Sequence, residues 1–89
     1  MAYNTVTVTN TATKIVDANS QRQSLIIANA GSVSIFIGPD ASVTAANGTP
    51  IVAGGNLSED SGGTRMQMGP VYGITASGTA DTRYWERTR

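Results

Sequence analysis

An all-β fold, a compact β-sandwich or small barrel with a jelly-roll-like wrap and about seven to nine short antiparallel strands, is what this sequence predicts. Three observations carry it. Strong helix formers are scarce: Leu occurs twice, Glu twice and Lys once, whereas Thr, Ser, Ala, Gly and Asn are abundant. Apolar and polar residues alternate at period two in several short stretches. Between those stretches stand Gly, Pro, Asn and Asp, the residues of tight turns.

The elements follow in chain order. Tyr3 to Thr9 alternates, with Val6 and Val8 on one face and threonines on the other, the pattern of a half-buried strand. Thr13 to Val16 is a second, shorter strand, and Asp17 to Ser20 reads as a turn. Arg22 to Asn29 contains Leu25-Ile26-Ile27-Ala28, an apolar run that predicts a strand covered on both faces. Asn29 to Ser32 reads as a tight connection, and Val33 to Ile37 alternates again, so Arg22 to Ile37 is predicted to be a β-hairpin. Gly38-Pro39-Asp40 ends it, because proline cannot donate to a central ladder. Asn47-Gly48 is a turn dipeptide, Thr49 to Val52 a short edge strand with a proline, and Asn56 to Ser58 a brief pairing segment. Glu59 to Gly63 reads as a polar loop, and Arg65 to Met68 alternates. Val71 to Ala76 and Ala80 to Arg87 are the last two strands, joined by a turn at Ser77 to Thr79.

The chain is predicted to be a single domain over residues 1–89. A domain of this size has a marginal core and usually draws on disulfides, a metal or oligomerisation. Cysteine and histidine are both absent. Disulfides, thiolate or imidazole metal sites, a cysteine nucleophile and a histidine base are therefore excluded. Self-association or docking on another protein is the support left open. Six Lys/Arg balance six Asp/Glu, which argues against phosphate-backbone binding. The start shows no basic segment followed by an apolar run, so no signal peptide is expected. No apolar stretch nears the ~20 residues that span a bilayer. A soluble chain made in the cytoplasm is expected, with no membrane partner.

No constellation for catalysis stands out. Eight serines lack a histidine to activate them. The carboxylates Asp17, Asp40, Glu59, Asp60, Asp81 and Glu86 lie mostly at predicted turns, where local hydrogen bonding explains them. The Glu59-Asp60 spacing matches no calcium loop. No phosphate-cradling glycine pattern occurs, and Gly54-Gly55 and Gly62-Gly63 read as backbone needing positive φ. The sequons at Asn47 and Asn56 are incidental without a secretory signal. The sequence accordingly predicts no enzyme, no cofactor and no metal.

The informative segment is Arg83-Tyr84-Trp85-Glu86-Arg87. In a strand, Ala80, Thr82, Tyr84 and Glu86 share one face, while Asp81, Arg83, Trp85 and Arg87 share the other. The second face is charged yet carries the only tryptophan. Trp and Arg are the residues most enriched at interface hot spots. A tryptophan lying over the sandwich rim, stacked on an arginine, is the competing explanation. Phe36 points away from Val33, Ile35 and Ile37 and marks a second buried face or a contact. Candidate interface residues are thus Trp85, Tyr84, Arg83, Arg87 and Phe36.

Several blocks resemble a family of short virion proteins of tailed phages. They are Arg22 to Asn29, Gly31 to Gly38, Val43 to Gly48, and Tyr72 to Arg83, and the likeness runs from about Thr11 to Glu86. Their order together is more specific than any one block. The resemblance implies a small β-sandwich displayed on or within a phage particle, of the capsid decoration (cement) type, with no catalytic residues to carry over. It implies a virion location, the major capsid protein or another virion protein as partner, and a homotrimer at local three-fold positions. Tyr84-Trp85 and the arginine-rich end depart from the aliphatic strand end expected of the family. The absence of a fibre extension favours a compact cement protein, which would stabilise the assembled head by mass action. A tail, connector or spike-base component is the alternative within the particle. A carbohydrate-binding sandwich, using Tyr3, Tyr72, Tyr84 or Trp85 for stacking, is the alternative from another class.

Overall fold

Period-two alternation becomes β-structure throughout the computed structural model, which describes residues 2–60 and 69–88. The strands are β1 (Ala2–Val8), β2 (Thr13–Val16), β3 (Arg22–Asn29), β4 (Ile35–Gly38), β5 (Thr49–Ile51), β6 (Asn56–Asp60), β7 (Val71–Ile74) and β8 (Ala80–Thr88). They pair antiparallel in two four-stranded sheets, ordered β1-β8-β3-β6 and β2-β7-β4-β5. Neither sheet closes on itself, so the fold is a sandwich and not a barrel. The pairs β1–β8, β2–β7, β3–β6 and β4–β5 describe a chain doubled back at the β4–β5 turn. Rolling that double ribbon brings β8 against β3 and β7 against β4, which is the jelly-roll wrap.

The core lies between the sheets. Val8, Leu25 and Ile27 from one sheet meet Ile15, Ile35 and Val71 from the other, all nearly or fully buried. Inward and outward residues alternate along β3 and β8, as a sandwich requires.

Two expectations about β3 are corrected. Arg22 to Ile37 is not a hairpin, because β3 and β4 lie in different sheets and face each other across the core. Two neighbouring strands that each carry an apolar face can bury both by stacking, and a large inward stripe (Leu25 and Ile27, Ile35 and Ile37) favours that solution. Nor is β3 covered on both faces, since Ile26 is 38% exposed on the outer side. The crossing needs a close approach: a Cβ on Gly31 would lie 2.8 Å from the Ala80 Cα, so only glycine fits. Glu59 and Asp60 continue β6 rather than starting a loop. Of the two glycines expected to need positive φ, Gly54 has it, at 82°, and Gly55 does not. Arg65 to Met68 and Gly62-Gly63 lie outside the described residues.

Thr82 is fully buried on the inner face of β8, and its hydroxyl finds no hydrogen-bond partner among the described residues. A buried unsatisfied hydroxyl costs roughly 1–3 kcal/mol. Thr82→Val keeps the shape and the β-branch while removing that group. It is expected to raise unfolding stability by about 1 kcal/mol in urea titration.

Candidate interaction face

The alternation of β8 divides its side chains as the sequence predicts. Ala80, Thr82 and Glu86 are buried and Tyr84 packs against the core, while Arg83, Trp85 and Arg87 are exposed. Cross-strand register then decides what surrounds Trp85. It stands opposite Tyr3 of β1 on one side and Ile26 of β3 on the other, and Ile26 stands opposite Ser58 of β6. Tyr3 is 80% exposed, Trp85 49% and Ile26 38%. Directly opposed side chains on a sheet face lie within contact reach. The sheet therefore presents one transverse apolar row, Tyr3–Trp85–Ile26, to solvent.

Charges bracket that row. Arg83 and Arg87 lie two residues to either side of Trp85 on the same face. Arg83 Nη2 donates to Asp81 Oδ2 at 3.0 Å, with both side chains about half exposed. An exposed pair of this kind adds little to stability, so the guanidinium remains available to a competing carboxylate. The next row is small and polar, with Thr5, Arg83, Ala28 and Asn56 in register. The face is an apolar centre with a polar, slightly basic rim, the anatomy of a protein-binding patch.

The five candidates do not share this surface. Arg83, Trp85 and Arg87 are brought together on it. Tyr84 points inward. Phe36 lies on β4 of the other sheet, in register with Pro50 and Ile74, and is half-buried beneath Gly48. Nothing in the local sequence pairs Trp85 with Tyr3 or Ile26. The period-two pattern places each on an outward face, but only the register shows that the three outward faces are one.

The described carboxylates have structural partners. Asp17 Oδ1 accepts from Lys14 Nζ at 3.0 Å at the surface. The hydrogen bond to Asp17, and then its charge, raises the lysine pKa above its ordinary value. Asp40 accepts from the Ser42 hydroxyl and backbone N–H, in that order of effect, which holds its carboxyl below the usual range. Glu86 is buried against Arg22. No group of three potential metal-ligating side chains occurs among the described residues; the side chains of Glu59 and Asp60 lie outside them. A cleft of about 330 Å³ between the sheets is lined by core side chains such as Leu25, Ile27, Leu57 and Val71.

The chain matches no protein-family model, no curated protein and no solved structure.

Proposed function

We propose that this chain is a non-enzymatic structural module of a tailed-phage particle, a head-decoration protein that docks the outer face of its β1-β8-β3-β6 sheet on a shell protein. The observation that carries the binding reading is the exposed row Tyr3–Trp85–Ile26 with arginines on either side of Trp85. A large aromatic on an uncovered sheet face leaves apolar area in water that a partner removes, and a tryptophan alone can bury ~150–250 Å². The flanking arginines suit a partner patch carrying carboxylates. The particle context rests on the resemblance of the blocks between Thr11 and Glu86; the jelly-roll wrap alone hosts many functions.

Binding of the purified chain to particles that lack it tests the proposal. Trp85→Ala is expected to weaken occupancy by about thirtyfold, equivalent to the ~2 kcal/mol of an interface hot spot. Its unfolding midpoint should stay that of the wild type, because the side chain lies outside the core. Normal binding by the variant, or unfolding of the isolated chain, overturns the face assignment. The adjacency of Tyr3 and Trp85 also favours a second reading, sugar stacking on a flat aromatic platform. Retention of wild-type chain on immobilised polysaccharide, lost in Trp85→Ala, would select that reading instead.

A further inference from the structure

Among the described residues, the four edge strands of the sandwich are unequal. They are β1 and β6 in one sheet and β2 and β5 in the other. β5 has three residues with Pro50 at its centre. β2 has four residues, carries Lys14 and breaks register with its neighbour. β6 ends in Glu59 and Asp60. Shortness, proline, charge and irregular register are the features that stop a sheet edge from pairing with another chain. β1 has none of them. It is seven residues long, uncharged and proline-free, and its register with β8 is regular from Ala2 to Val8.

The free hydrogen-bonding groups on that edge can be assigned. The N–H of Thr5 donates to the side-chain oxygen of Asn4 at 2.8 Å, so it turns away from the β8 ladder. Alternate residues of an antiparallel strand direct their backbone groups to the same side. Tyr3, Thr5 and Thr7 therefore offer N–H and C=O to the open edge, whereas Asn4, Val6 and Val8 bond to β8.

We propose that β1 pairs antiparallel with β1 of a second copy, about a two-fold axis that sets Thr5 opposite Thr5 of the second copy. This register puts Tyr3 opposite Thr7 of the other copy on both sides of the axis. It matches edge-facing residue to edge-facing residue, keeps both inner faces on one side, and joins the two sheets into one of eight strands. Tyr3, at 80% exposure the most open of the large hydrophobic side chains described, gains a β-branched cross-strand neighbour. The edge carries no charge, so two copies meet without repulsion. Among the described residues the Asn4 carboxamide occupies the edge, and it must swing aside for the Thr5 N–H to reach the second copy. A contact of this kind uses the same patch on both subunits and closes as a dimer, where the family resemblance implies a trimer.

Sedimentation equilibrium of the full chain over a micromolar concentration series is the test. The wild type is expected at twice the 9.2 kDa of the chain. Thr5→Pro deletes an N–H that β8 does not use, so it should give a monomer with an unchanged far-ultraviolet β spectrum. Thr5→Lys keeps the N–H and avoids proline strain, but sets two ammonium groups opposite each other at the axis. Its dimer dissociation constant should rise about tenfold or more, with partial recovery in high salt. Trp85→Ala should dimerise normally, which separates this edge from the proposed docking face. A monomeric or trimeric wild type, dimers retained by both Thr5 variants, or a dimer lost in Trp85→Ala would each overturn the proposal.

Discussion

Arg22→Ala is expected to lower the unfolding free energy by about 3–5 kcal/mol, the cost of leaving one member of a buried ion pair alone. Arg22 is fully buried, and its Nε donates to Glu86 Oε2 at 2.6 Å. Its other nitrogens tie down two connections: Nη1 donates to the Gly69 carbonyl at 3.0 Å and Nη2 to the Asp17 carbonyl at 2.7 Å. Asn19 Nδ2 adds a longer bond to Glu86 Oε1 at 3.4 Å. One guanidinium thus closes that end of the sandwich, holding the β2–β3 turn, the entry to β7 and the end of β8 together. Arg22→Lys should lose most of the same stability, because one ammonium nitrogen cannot reach the three separate acceptors that the guanidinium meets through Nε, Nη1 and Nη2. The double variant Arg22→Met with Glu86→Leu separates charge from packing, since apolar pairs often replace buried ion pairs at little cost. It is expected to recover more than half of the loss in urea titrations. A full loss in the double variant would mean that the carbonyl contacts, not the charge pair, hold the end closed.

Why this pair escapes the sequence while the strands do not is a matter of one residue. Strand positions follow from alternation and turn residues, so β2 is predicted with its observed bounds and the other described strands to within about three residues. Parity along β3, set by Leu25, Ile27 and Asn29 facing inward, would send Arg22 outward. The register with β8 shifts between Arg22 and Ser24, where two steps on β3 match one step from Thr88 to Arg87. That bulge reverses the parity and turns Arg22 onto the inner face, beside Glu86. Nothing local in the residues Arg22-Gln23-Ser24 marks it. The candidate face was half legible for a similar reason. The two-sided character of β8 is written in its own sequence, but Tyr3 and Ile26 join Trp85 only through pairing between segments far apart in the chain. Strand partners in a jelly roll are set by the wrap as a whole, which local patterns do not encode.

Asn29→Ala is expected to cost about 3 kcal/mol, with roughly 1–3 kcal/mol for each buried backbone group left without a partner. As a residue in a hairpin turn, which alternation predicts, Asn29 would be exposed and its replacement nearly neutral. The structure instead buries it, at 1% exposure, where the chain leaves one sheet for the other. Its Nδ2 donates to the carbonyls of Val33 at 2.8 Å and Ile51 at 3.0 Å, and its Oδ1 accepts from the Gly31 N–H at 2.9 Å. Its backbone bonds Gly55 and Gly54 in the connection before β6. The carboxamide therefore supplies the crossing segment with the hydrogen bonds that a sheet ladder would otherwise give it, and fastens that segment to the end of β5. Alanine removes all three at once. Asn29→Asp keeps an acceptor for Gly31 but loses both donors and buries a charge, so it should cost at least as much as alanine. Amide exchange provides the local check: the Gly31 N–H should lose protection in Asn29→Ala by more than the change in global stability explains. A variant as stable as the wild type, with Gly31 still protected, would show that the crossing is held by core packing of Leu25, Ile27, Ile35 and Ile37 alone.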